Sequence, residues 1–466
     1  MKRRTHTPRP GWPALLLVLA MLAAACGGGG VEGGGDAGPT EGDAGTAGAV
    51  TDSPPETQTE STSTGTEPAG TETTGTTTGT ETPTGSAAEG EPIKIGMATT
   101  LSGSIALFGE ANRNAAELAV DQLNEAGGVL GRPVELIVAD DQAAPEEGVR
   151  IARDLIIDEG VSMLLGPVSS GVALAISEVS AERQVPFIVH TSNTEALTVQ
   201  EFQPYVVSVV PNTGMEARAQ GVDLAGSEYT RWATIAPNYE FGQRQTATFV
   251  ETLQAEKPDV EIVAQQFPEL GESDYQPFIT SLLAASPEAV YTPLFAGDLV
   301  TFTQQAADLG FFDQVYFTAL YETDALQELG DAVDLEGIRA YSRCPFTIDT
   351  EQMAAFVETY EAAYGEVPSD WACMAYDAVN LWAEVVEENG DLDADAFVET
   401  VEGFEFTSLR GDTHIREIDH QAAVPSYIAE LTFDDELGFY VYGETTVVPA
   451  EEIWLSEEDV EAARAG

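Results

Sequence analysis

Positive charge is what this chain has least of. Nineteen lysines and arginines face 79 aspartates and glutamates, few of the nineteen are lysine, and the formal net charge is −60. A basic face for nucleic acid or anionic lipid is therefore excluded. The balance suits a chain kept soluble in high salt, where screening removes self-repulsion. It suits an ordinary solvated acidic surface equally well, and it names no function. Cysteine is scarce too. Cys26, Cys344 and Cys373 are too few for a disulfide scaffold, and no Cys/His cluster has metal-ligand spacing. No Walker loop, Gly-x-Gly-x-x-Gly or Gly-x-Ser-x-Gly occurs in the body, so neither a nucleotide cradle nor a nucleophile elbow is read. Asp391-Leu392-Asp393-Ala394-Asp395 with Glu402 echoes a calcium loop, but Ala396 stands where that loop needs glycine. It reads as a helix start with an acidic first turn. No metal, no cofactor and no catalysis are expected.

At 466 residues the chain is too long for a single core. Lys2, Arg3, Arg4 and Arg9 form a positive start, and Ala14 to Ala25 is an apolar run too short to span a bilayer as a helix. Cys26 follows at once. Leu22-Ala23-Ala24-Ala25-Cys26 resembles a bacterial lipobox, with Ala23 where leucine is usual, so Cys26 is the expected lipidation site. The alternative reading of the same residues is Ala-x-Ala cleavage without lipid. From Gly27 to Glu91 the chain has no lysine or arginine and is dominated by Gly, Thr, Glu, Ser, Pro and Ala. Such a stretch buries no core. As a flexible coil of about 65 residues it would reach roughly 45 Å, which suits a tether.

The body alternates short apolar strands with amphipathic helices. Strands are expected at Ile93–Met97, Val134–Ala139, Val161–Leu165 and Pro186–Val189. Helices carry Ala115, Leu118, Ala119 and Leu123, then Val149, Ala152, Leu155 and Ile156. This order means a parallel, doubly wound α/β sheet, with ligands at the carboxyl ends of its strands. The pattern restarts at Trp232–Ala236, with strands at Val260–Gln266, Ala289–Leu294 and Val315–Thr318. A third section adds helices Glu351–Tyr364 and Trp371–Glu388, then tail strands Ser426–Phe433 and Phe439–Val441. Between the third strand and its helix, Gly166-Pro167-Val168-Ser169-Ser170-Gly171 sets two serines at a helix N-terminus, whose free N–H groups favour a small anion. A serine there is as readily a simple cap.

Several stretches together carry a family resemblance: Ile93-Lys94-Ile95-Gly96, Asn124–Arg132, Asp140-Asp141-Gln142, Leu165–Gly171, Ala196-Leu197-Thr198, Asn238–Gly242, Tyr376–Val379 and Asp419-His420-Gln421. The body resembles the branched-chain amino acid (Leu/Ile/Val) and amide group of solute-binding proteins of ABC importers, which are type I periplasmic binding proteins. The resemblance implies two flavodoxin-like lobes joined by three crossovers, near Val207–Pro211, Ala340–Pro345 and Ala423–Tyr427, that close on a solute. It divides the chain into a lipoprotein signal at 1–26, a tether at 27–91, a first lobe at 92–210 and 342–425, and a second lobe at 211–341 and 426–466. It implies an extracytoplasmic protein, anchored in the cell membrane through lipid on Cys26, that hands an amino acid to ABC permease and ATPase subunits.

By the same resemblance Ser170 takes a ligand carboxylate, with Ser169 the cap. Thr191, Ser192 and Asn193 complete the clamp. Phe108, Tyr239, Phe241 and Phe295 line the pocket. The alignment puts Leu320 where the acid that holds the ligand ammonium is expected, with Tyr321 and Glu322 next. Either Glu322 serves, or the ligand is an amide or small carboxylate without an ammonium. A ligand-sensing ectodomain of the same fold and an α/β enzyme are the other readings. Asp419-His420-Gln421 reads as structural, and pairing of Cys344 with Cys373 is left open.

Overall fold

A computed structural model describes residues 88, 90–103 and 105–465. The expected signal, Cys26 and nearly all of the tether lie outside the described residues. Two sheets organise the rest. The first is built from β1 (Ile93–Thr99), β2 (Val134–Asp140), β3 (Leu164–Leu165), β4 (Phe187–Val189) and β5 (Val206–Ser208). Its strand order is β2-β1-β3-β4-β5, all parallel. Connecting helices are α1 (Ala106–Glu125), α2 (Pro145–Asp154) and α3 (Ser170–Arg183). Both faces are covered, which is why these strands read as continuous apolar runs. Ile93, Ile95 and Met97 pack with Ala116 and Ala119 of α1 on one face, while Ala98, Leu164 and Phe187 pack with Ile151 and Val172 on the other.

The chain then crosses to the second sheet. In order come α4 (Thr213–Ala225), β6 (Arg231–Ile235), α5 (Glu240–Glu256), β7 (Glu261–Gln266), α6 (Gln276–Ala284), β8 (Ala289–Thr292), α7 (Ala296–Asp308), β9 (Tyr316–Leu320), α8 (Thr323–Leu329) and β10 (Arg339–Ser342). It returns to the first sheet with α9 (Glu351–Tyr364), α10 (Asp370–Asn389), α11 (Ala394–Val401) and a hairpin of β11 (Glu405–Ser408) and β12 (Gly411–His414). Then it crosses again to β13 (Ser426–Asp434), β14 (Phe439–Tyr442) and β15 (Thr446–Val448). The second sheet runs β14-β13-β10-β9-β8-β6-β7, with β15 on β13, and β13 enters antiparallel to β10.

These crossings are pinned by buried polar contacts. Asp377 on α10 accepts from Leu409 N at 2.8 Å and from Arg410 Nη2 at 3.0 Å, while Arg410 also donates to Val209 O at 2.8 Å. Gln421 Nε2 donates to Val210 O at 2.8 Å, and Ser208 N to His420 O at 3.0 Å. Asp419-His420-Gln421 therefore braces a crossover. Asp393 caps α11 by accepting from Asp395 N and Ala396 N, which is the helix-start reading of the acidic run. Cys344 and Cys373 are bonded, with Cα atoms 6.3 Å apart, and tie the exit of β10 to α10.

Candidate functional site

In each sheet the strand order reverses at one place, and loops leaving strands on either side of that place open a crevice. In the first sheet this is between β1 and β3. The β1 exit is fixed by Asp140 and Asp141: Leu101 N donates to Asp140 Oδ1 at 2.9 Å, and Thr100 Oγ1 to Asp141 Oδ1 at 2.6 Å. The helix after it begins at Ala106, so Phe108 sits on its first turn. The β3 exit turns at Gly166, whose φ is +120° and whose absent Cβ would fall 1.9 Å from Ala98 O. Only glycine allows that approach. Ser169 holds the N-cap position of α3 without a side-chain cap bond, and Ser170 is the first helical residue.

The β4 exit carries the other three expected residues of this side. Thr191 Oγ1 contacts His190 Nδ1 at 2.8 Å and Asn112 Oδ1 at 3.1 Å. His190 is wholly buried, which pushes its pKa down to about 3 and keeps it neutral. Asn193 Nδ2 donates to Glu216 Oε2 at 3.0 Å. Ser192 N donates to Pro167 O at 3.0 Å, so this loop leans on the serine-bearing turn. Ser192 Oγ is buried and has no partner among the described residues. The Thr191 hydroxyl and the Asn193 amide nitrogen are thus engaged within the protein, while the Ser192 hydroxyl is not.

The second sheet reverses between β6 and β8, and those two exits deliver the aromatic residues. Tyr239 and Phe241 lie after β6, their ring centroids 5.8 Å apart, and Phe241 meets Phe295, after β8, edge-on at 5.7 Å. Phe295, like Val168, packs against a cluster that holds Phe108 and Trp371. Phe108 and Trp371 have centroids 4.4 Å apart.

Past β9 the sequence expectation divides. Tyr321 is not part of this crevice. It is fully buried in the core of the second sheet, near Phe317, with its hydroxyl 2.8 Å from Thr303 Oγ1. Extended backbone sends successive side chains to opposite faces, so placing Tyr321 in the core turns Glu322 away from it. Glu322 is 1% exposed, and neither carboxylate oxygen has a partner among the described residues. Burial raises its pKa to about 8 against the opposing pull of Arg343.

The residues that sequence reasoning passed over lie beside it. Arg343, just past β10, donates through Nε and Nη2 to Glu216 on α4. Its guanidinium carbon stands 4.8 Å from the centroid of the Trp371 ring. Glu216 also accepts from Gln245 Nε2 at 2.7 Å. Asp370, at the start of α10, accepts from Arg343 N at 3.1 Å and from Ser342 Oγ. Asp324 lies close enough to Trp371 for the indole N–H to act on it, yet Asp324 Oδ2 and Trp371 Nε1 complete no hydrogen bond. Arg343 joins Glu216 across 127 positions, and no local pattern announces such a pair.

Serine hydroxyls and the start of α3 thus lie at exits of the first sheet, a buried carboxylate follows β9 of the second, and Phe241, Phe295, Phe108 and Trp371 make a run of aromatic contacts. The sequence pattern of the family described as periplasmic binding protein matches residues 92–436. The chain is 25% identical over 365 residues to Leu/Ile/Val-binding protein homolog 4 of Brucella abortus, covering 74% of this chain and 86% of that one. It is 40% identical over 106 residues to Leu/Ile/Val-binding protein BraC3 of Rhizobium johnstonii, which is 23% of this chain and 29% of that one. Among solved structures it resembles an ABC transporter solute-binding protein of Rhodopseudomonas palustris BisB5, crystallised with 3,4-dihydroxybenzoic acid. The TM-score is 0.69 at 24% identity, over 77% of this chain and 98% of that one.

Proposed function

The chain belongs to the periplasmic binding protein family, and we propose that it is the solute-binding subunit of an ABC importer whose ligand is an amino acid. Family membership implies an extracytoplasmic location. In this reading a lipid on Cys26 holds the body at the membrane, the two lobes close on the ligand, and the closed form is passed to a permease. The observation that carries the amino acid is Glu322. A buried carboxylate without a partner costs several kcal/mol, and a ligand ammonium is the partner that would recover it. Ser170, Ser192 and the start of α3 supply donors for the ligand carboxylate. Phe108, Phe241 and Phe295 line the space between.

A second reading is favoured by the same carboxyl. With its pKa near 8, Glu322 is protonated at neutral pH and could face a carboxylate that has no ammonium, such as the aromatic acid bound by the R. palustris protein. The two readings differ in sign. An ammonium needs Glu322 ionised, so amino acid affinity rises as pH goes from 6 to 9. A carboxylate alone repels the ionised form, so its affinity falls over the same range. Calorimetric titration with leucine, glutamine and benzoate at pH 6, 7.5 and 9 tests both. If no amino acid binds at any of these pH values, the amino acid reading is lost.

A further inference from the structure

Glu322 stands at the N-cap position of α8, yet its side chain makes no cap bond. A capping side chain ordinarily accepts from the free N–H groups of the first turn. Glu322 does not, so the start of α8 is held from outside. The hold comes from the start of α10. Asp370 Oδ1 accepts from Thr323 Oγ1 at 3.3 Å, while Asp370 Oδ2 serves the exit of β10 through Ser342 Oγ and Arg343 N. Beside it the Trp371 indole N–H acts on the Asp324 carboxyl, so α10 meets two successive residues of α8. We infer that Asp370 is a positioning residue of the site: it grips Thr323, the residue after Glu322, and so holds Glu322 away from water. This rests on the reading of Glu322 as the ligand's partner and deepens it.

The two helices belong to different layers. Ala378, Val379 and Trp382 of α10 pack with strands of the first sheet, while Ala325, Leu326 and Leu329 of α8 lie in the core of the second. Asp370 is fully buried, so its bond to Thr323 joins the layers where little water competes. On the β10 side the hold has a covalent reserve. Cys344, which follows Arg343, is bonded to Cys373, one turn further along α10. The β9 exit carries no cysteine, so Thr323 is where the hold can be broken. Facing Glu322 are Arg343 beyond β10, Asp370 of α10, Asp324 of α8 and the Tyr442 hydroxyl of β14. Losing the tether lets Glu322 reach water while all four of these groups stay, and hydration favours its ionised form.

The test reads the pH at which Glu322 ionises, without ligand. The full chain is unfolded by denaturant between pH 4 and pH 10, each variant against its own Glu322→Gln counterpart. Thr323→Val keeps the shape and every charge and removes the tether. Its midpoint falls below the parent's by roughly half a unit or more. Asp370→Asn removes the tether and a facing negative charge together, and its midpoint falls further. A Thr323→Val midpoint equal to the parent's overturns the inference, and a fall in Asp370→Asn alone then shows that Asp370 acts by charge and holds nothing. Thr323→Val decides by itself where Asp370→Asn does not fold. No ligand enters these measurements, so they succeed or fail separately from the titrations that decide what the site binds.

Discussion

Two glutamates flank the same arginine and are equally buried, each 1% exposed, yet they are treated in opposite ways. Glu216 is saturated: Arg343, Asn193 and Gln245 all donate to it. Glu322 takes no hydrogen bond from any other described residue, although Arg343 and its own backbone amide act to lower its pKa. The first arrangement is what a buried charge needs to be tolerated. The second is what a fold avoids unless the missing partner arrives later. Burial alone therefore does not separate a structural acid from a functional one, whereas partner count does.

Breaking the saturated side gives the largest expected effect. Arg343→Met leaves Glu216 buried without its cation, and unfolding by denaturant should show a loss of about 3–5 kcal/mol. A loss below about 1 kcal/mol would mean that Glu216 is not a buried charge in solution. The bare side behaves otherwise. Unfolded, the Glu322 carboxyl ionises near 4.5; folded, near 8. Between those values the folded chain holds a proton that the unfolded chain has lost. Its stability contribution is thus present below pH 4.5 and disappears as pH rises towards 8. Glu322→Gln removes this slope, so the variant should equal the parent at pH 4 and exceed it at pH 9, by at most about 5 kcal/mol. Denaturation at the two pH values measures the difference. A variant destabilised at pH 9 would show that Glu322 has a partner after all.

The same contrast explains what could be read from the chain beforehand. The α/β order was legible because parallel strands buried on both faces are short apolar runs, and helices Glu351–Tyr364 and Asp370–Asn389 announce themselves by period. Of the hairpin at Glu405–His414, Arg410-Gly411-Asp412 reads as a turn before a strand, as it proves to be, but nothing local marks the pairing of that strand with Glu405–Ser408. Its purpose, Arg410 against Asp377, needs a partner 33 residues away. What the α/β order made readable was position: Phe108, Ser170 and the Thr191–Asn193 loop follow strands of the first sheet. Tyr321 was misplaced because one step along an extended chain decides core or crevice. Arg343, Glu216 and Trp371 were missed because a long-range pair leaves no mark in local sequence.

Glu195 supplies the intermediate case and the smallest effect. It is buried, from the first sheet's side, and takes Arg218 Nη2 of α4 at 2.9 Å and Arg244 Nη2 of α5 at 3.0 Å. Gly214 makes room for it, since a Cβ there would fall 1.8 Å from Glu195 Oε2. The two arginines are not equivalent. The Arg218 side chain is 17% exposed and also donates to Ile453 O, while that of Arg244 is 49% exposed beside a recess of about 220 Å³. Water and salt screen the outer pair. Arg244→Gln should therefore cost less than about 1 kcal/mol in dilute buffer, and the difference should vanish in 1 M salt, where the Debye length is about 3 Å. Arg218 still satisfies the carboxylate, so no bare charge is created. A loss as large as that of Arg343→Met, unchanged by salt, would mean that a second partner matters as much as the first, and the division drawn between Glu216 and Glu322 would have to be made on geometry instead of on partner count.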